Sequence, residues 1–164
     1  YLDRNNALKI YGHISTWNTS SITDMSQLFA YSEEDVPFYE QYDDKYLSFS
    51  CNNFNEDISN WDVSNVTDMS NMFENAYHFN QPLNNWNVSK VKDMSYMFYK
   101  AHKFNQPLNN WNVSNVTDMT SMFKKSYNFN QSLNNWNISN VIYMKNIFEN
   151  AESFDKKNAL WNKF

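Results

Sequence analysis

Apolar residues along this chain fall into a recurring pattern of two parts. In the stretch from Leu83 they are Leu83, Trp86, Val88 and Val91, the scheme L-x-x-W-x-V-x-x-V, followed by Met94, Met97, Phe98 and Ala101. The first part alternates: Trp86 and Val88 share one face of an extended chain and Asn87 takes the other, which predicts a short strand. The second part is spaced by three, one and three, the stripe of an amphipathic helix of about three turns. Phe79, Phe104 and Phe129 are then expected to lead each helix back to the next strand.

Polar residues supply the punctuation. Asn65 with Asp68, and Asn115 with Asp118, have the spacing of a helix N-cap and an acid in the first turn, where the dipole favours it. Lys90 with Asp93 keeps only the acid.

The pattern repeats. Trp61, Trp86, Trp111, Trp136 and Trp161 are 25 residues apart, and Trp17 precedes Trp61 by 44, one period plus an insertion of 19. A fixed period of this length marks a solenoid, in which each unit buries its apolar face only by stacking on its neighbours. The expected fold is an α/β repeat solenoid, leucine-rich-repeat-like, with a parallel sheet on one side and short helices on the other. Strands about 4.8 Å apart against helices about 10 Å wide make the sheet side concave. An up-and-down strand sandwich, with the Asn-Asn pairs as hairpin turns, is the alternative. About six units form one array over residues 1–164, with the insertion at 31–53. Asn158 and Lys163 stand in the leucine and valine slots of the last unit, and Ala7 with Ile10 fits the end of an earlier helix. The last unit reads as either a worn terminal cap or the point where a longer array is cut, and the opening suggests a piece of a longer array.

The motif W-x-V-S-x-V-x-D-M-x-x-M-F-x-x-A-x-x-F-N-Q resembles the BspA-like bacterial surface protein repeats of mycoplasma-type and Listeria-type surface lipoproteins. The units from Ile58 to Phe154 match it without gaps, and the copy at Ile14 matches as far as the insertion. The resemblance implies a non-enzymatic, surface-displayed module for adhesion or protein–protein interaction, located outside the cell, with no catalytic residues and no cofactor to carry over. A structural spacer or coat component without a specific ligand is the alternative.

Composition narrows the choice. The net charge is −5, and no lysine or arginine cluster stands out along the chain, which argues against a nucleic-acid partner. The single glycine, Gly12, excludes phosphate-cradling glycine loops. The single cysteine, Cys51, excludes an internal disulfide. No apolar run approaches the length of a membrane span. The tryptophans could form a sugar-stacking platform and the methionines a soft-metal site, but their slots are those of packing residues. His13, His78 and His102 fall in different repeat columns, so no metal site follows.

Two features remain as candidate partner-binding sites. One is the outward column Asp62, Asn87, Asn112 and Asn137, flanked by a second column of asparagines (Asn60, Asn85, Asn110, Asn135) and by a serine column. Its amides could bond along the stack and stiffen it, or present a binding surface to a protein partner or host surface component. The other is the insertion, where Glu33, Glu34, Asp35, Asp43 and Asp44 alternate with Phe38, Tyr39 and Tyr42. Such a loop could meet a basic partner or hold calcium, although its spacing fits no EF-hand.

Overall fold

In the computed structural model, residues 4–31 and 53–161 are described. The chain opens with a helix, α1, Arg4–Tyr11. Gly12 ends it in the left-handed region at φ 71, and its N–H donates to Leu8 O at 3.0 Å. This is the helix stop that glycine makes without a Cβ penalty. Over residues 53–161 the backbone winds in 25-residue coils stacked in register, and residues 25–31 bond to the first of them.

Each coil is built from tight turns. In the coil of Trp61, turns close from Trp61 N–H to Ile58 O (3.1 Å), Val66 to Val63 (3.0 Å), Glu74 to Asn71 (3.0 Å), Ala76 to Phe73 (3.1 Å) and Phe79 to Ala76 (3.1 Å). The same bonds recur one period on, for example Trp86 to Leu83 (3.0 Å) and Ala101 to Phe98 (3.0 Å). A second set of N–H groups reaches the next coil. Met69, Asn71, Phe73 and Asn75 donate to the carbonyls of Asp93, Ser95, Met97 and Tyr99 at 2.8–3.0 Å. One period later Met94, Tyr96, Phe98 and Lys100 donate to Asp118, Thr120, Met122 and Lys124.

This architecture corrects the expected α/β solenoid of parallel sheet and short helices. Among the described residues there is no strand; pairing is confined to single parallel bridges linking Asp24, Asp68, Asp93, Asp118 and Tyr143 in succession. Among the described residues beyond α1, the helical elements are short 3-10 turns, Ile14–Thr16 and Lys156–Ala159. The expected strand at Trp86-Asn87-Val88 is hemmed by turns on both sides, which leaves too little extended chain to pair. The expected helix fails for a different reason. The second residue after the methionine of each Asp-Met pair, and of Tyr143-Met144, is left-handed: Gln27, Asn71, Tyr96, Ser121 and Asn146 (φ 54–62). A second left-handed position lies four residues on, at Asn75, Lys100, Lys125 and Asn150. A right-handed helix cannot pass through these. The three-one-three spacing survives because consecutive four-residue turns also point Met69, Met72, Phe73 and Ala76 inward; all four are buried. The acids expected in the first helical turn close turns instead: Asp68, Asp93 and Asp118 accept through Oδ1 from the N–H two residues on, each at 2.8 Å.

Three aromatic columns fill the interior. Phe29, Phe73, Phe98, Phe123 and Phe148 stack at 5.4–5.7 Å. Phe54, Phe79, Phe104, Phe129 and Phe154 stack beside them at 5.7–6.0 Å. The two columns touch within each coil, at 4.1 Å between Phe98 and Phe104. Phe54 follows the insertion and still meets Phe79, so the coils on either side of residues 32–52 stay in register.

The tryptophans form the third column, and Trp111 and Trp136 lie 6.4 Å apart with rings 3° from parallel. Buried indole N–H groups need acceptors. Each finds the carbonyl three residues before the preceding tryptophan: Trp86 to Ile58 O (3.2 Å), Trp111 to Leu83 O (2.9 Å), Trp136 to Leu108 O (3.0 Å) and Trp161 to Leu133 O (2.8 Å). The indole thus makes the coil-to-coil bond that a strand backbone would have made there.

Candidate functional site

Asp62, Asn87, Asn112 and Asn137 share one position in four consecutive coils, and all four are exposed. The tryptophan and valine on either side turn inward, so the side chain between them must face out. Each Oδ1 accepts the N–H of the serine two residues on, at 3.0 Å for Asp62 and 3.1–3.2 Å for the asparagines. This turn chemistry suits Asx residues. It fixes the direction of each side chain. In Asp62 the Ser64 hydroxyl and N–H bonds hold the carboxyl below the usual carboxylate range, with a smaller contribution from Lys90.

The bonds of this column are therefore local, whereas the asparagines that bond along the stack occupy other positions. Asn80, Asn105 and Asn130 N–H groups donate to Asn55, Asn80 and Asn105 Oδ1 at 2.8–2.9 Å. Gln106 and Gln131 Nε2 reinforce the same ladder. Asn65, Asn115 and Asn140 Nδ2 donate back to Ser20, Ser89 and Ser114 carbonyls at 2.7–2.8 Å. Lys90 replaces asparagine in that column and donates to Asn65 Oδ1 at 2.6 Å. The flanking Asn60, Asn85, Asn110 and Asn135 are also exposed.

The structure brings Asp62, Asn87, Asn112 and Asn137 together as one pinned polar row. The other candidates, Glu33, Glu34, Asp35, Phe38, Tyr39, Tyr42, Asp43 and Asp44, lie outside the described residues. Among the described residues no group of His, Cys, Asp and Glu is arranged to hold a metal ion, and no helix is long and apolar enough to cross a membrane.

A second surface emerges only in three dimensions. Lys100 N–H donates to Lys124 O at 2.9 Å, so the lysine-bearing segments 99–103 and 124–128 lie side by side. Tyr77, His102 and Tyr127 form a face-to-face row along the same part of the coils, with 4.6 Å between ring centres at each step. Lys100 and Lys103 stand about one period before Lys124 and Lys125 in the sequence, and the stacking of coils makes the two pairs neighbours.

Stacked coils with a continuous aromatic core and repeated outward polar rows define a repeat protein whose surface chemistry is set by its period. The chain belongs to the family described as "Mycoplasma protein of unknown function, DUF285", which it matches over residues 4–85 and again over residues 43–162. No curated protein and no solved structure matches it.

Proposed function

We propose that this chain is a surface-displayed interaction module that adheres through its polar row and its acidic insertion to a protein on another surface. The observation that carries the reading is the row itself. Asp62, Asn87, Asn112 and Asn137 are exposed, in register, and held in direction by their serine bonds. Ordered polar groups that need no rearrangement lose little entropy on binding. The insertion, with six acids against Lys45 between Glu33 and Lys45, adds charge complementarity for a basic partner. The motif's resemblance to BspA-like surface repeats supports display outside the cell.

The test is adhesion of the purified chain to host cells, compared with a variant lacking residues 33–45 and with the triple variant Asn87→Ser, Asn112→Ser, Asn137→Ser. Serine retains a weaker form of the same turn bond, so folding is preserved while the amides are removed. Loss of adhesion in either variant, with an unchanged melting temperature, supports the reading. Equal adhesion by all three proteins, or none by the parent chain, returns the module to a spacer role. Accessibility of the chain to protease on intact cells tests display separately.

A further inference from the structure

Acidic residues are scarce in the two central coils of this acidic chain. Residues 86–135, the two central coils, hold Lys90, Lys92, Lys100, Lys103, Lys124 and Lys125 against Asp93 and Asp118, a balance of +4. The whole chain carries −5, so the remainder carries −9. Lys100, Lys103, Lys124 and Lys125 gather on the adjacent segments 99–103 and 124–128. Lys124 Nζ is 2.9 Å from Glu149 in the next coil, and Lys100 Nζ lies 5.4 Å from the centre of the Tyr99 ring.

The backbone beneath these lysines is costly for them. Lys100 and Lys125 are left-handed, at φ 55 and 60, and the same position holds Asn75 and Asn150 in the coils before and after. Asparagine tolerates that conformation and lysine does not favour it. The two central coils thus give up the residue the turn prefers for a cation, at neighbouring positions where like charges repel. The left-handed backbone belongs to the coil and recurs at Asn75 and Asn150; what is particular to the central coils is a cation placed on it, and that choice of residue points outward to a ligand. His102 lies within this positive field: burial lowers its pKa, and Lys100, His78 and Lys125 lower it further.

We propose that segments 99–103 and 124–128 form a binding surface for an acidic polysaccharide. Sulfate or carboxylate groups of the chain meet Lys100, Lys103, Lys124 and Lys125, and its hydroxyls meet Tyr99 and Tyr127. A protein partner would need an apolar centre to the interface, and the aliphatic residue of these segments, Ala101, is buried. A single-stranded nucleic acid would need a series of open ring faces for its bases, and the central ring of the row, His102, has both faces covered by Tyr77 and Tyr127. This surface is distinct from the polar row and the insertion, and the inference does not rest on the adhesion reading.

The test measures retention of the full chain on heparin and on neutral dextran at physiological ionic strength, beside the double variant Lys100→Asn, Lys125→Asn. Because asparagine already serves at this position in two other coils, the variant folds at least as well as the parent. The expected result is at least tenfold weaker heparin binding with an unchanged or raised melting temperature, and no dextran binding by either protein. Lys103→Gln, at an exposed side chain, is expected to weaken heparin binding by itself. The proposal is overturned if the parent chain does not bind heparin, if the double variant binds as tightly as the parent, or if a single-stranded oligonucleotide of equal charge binds as tightly as heparin.

Discussion

Replacing Trp111 tests the idea that indoles join the coils. Trp111 is 3% exposed, stacks on Trp136, lies 6.5 Å from Phe98, and donates its indole N–H to Leu83 O at 2.9 Å. Leu83 O also accepts the Trp86 backbone N–H at 3.0 Å. Trp111→Phe therefore leaves that carbonyl one partner, and the bond's loss falls in the lower part of the ~0.5–1.5 kcal/mol range. The missing second ring leaves a void costing about 1 kcal/mol more, so the total is roughly 2 kcal/mol. Trp111→Ala empties the slot and costs about 3–5 kcal/mol. Trp161, only half-buried although it donates to Leu133 O at 2.8 Å, is expected to cost less when replaced by alanine. Urea unfolding followed by far-ultraviolet circular dichroism gives all three values. If Trp111→Ala costs no more than Trp161→Ala, or Trp111→Phe changes nothing, the indole column does not hold the stack and the reasoning fails.

Three further outcomes are expected. Asn105→Ala strips acceptors from Asn130 N–H and Gln131 Nε2 and costs about 1–3 kcal/mol, while Asn105→Asp keeps the acceptor and costs less than half as much in the same urea assay. Tyr96→Asn relieves a left-handed tyrosine at φ 55 and raises stability by up to about 1 kcal/mol, read as a higher melting temperature; a fall would show that the Tyr99 ring contact outweighs the strain. Burial and the neighbouring lysines hold the His102 pKa below its ordinary value of 6.5. The unfolded chain therefore takes up the proton first as pH falls through that value, and stability declines on acidification. His102→Gln should flatten that decline between pH 7.5 and 5.5, and an unchanged slope would remove His102 as its source.

The 25-residue register was legible because Trp61 to Trp161 fill one slot at equal intervals, and burial of that slot follows from its alternation with Val63 and Val88. The secondary structure was not legible. The spacing of Met94, Met97, Phe98 and Ala101 is shared by a helix and by a run of four-residue turns, and only the backbone at Tyr96 and Lys100 separates them. Glycine would have signalled those left-handed positions, but the chain has one glycine, at position 12, and uses asparagine, lysine, serine and tyrosine instead. The outward direction of Asn87 and its equivalents could be read from the alternation, whereas their serine bonds could not be told from bonds along the stack. The lysine surface was hidden because Lys100 and Lys125 are a full period apart, and a search for runs of charge does not compare positions across periods.

The division of hydrogen bonds between turn and neighbour also has a mechanical meaning. Inside a coil the backbone bonds span only three residues, and what joins one coil to the next is the transverse set from Met69, Asn71, Phe73, Asn75 and their equivalents, with the indoles and the asparagine ladder. Tension applied to the two ends therefore loads these contacts in series, and the outermost coil yields first. Between Trp61 and Trp161 each rupture releases 25 residues, about 80–90 Å of extended chain, before the next coil bears the load. Under such tension the stack is expected to lengthen in steps and to shorten again by rewinding onto the coils that remain.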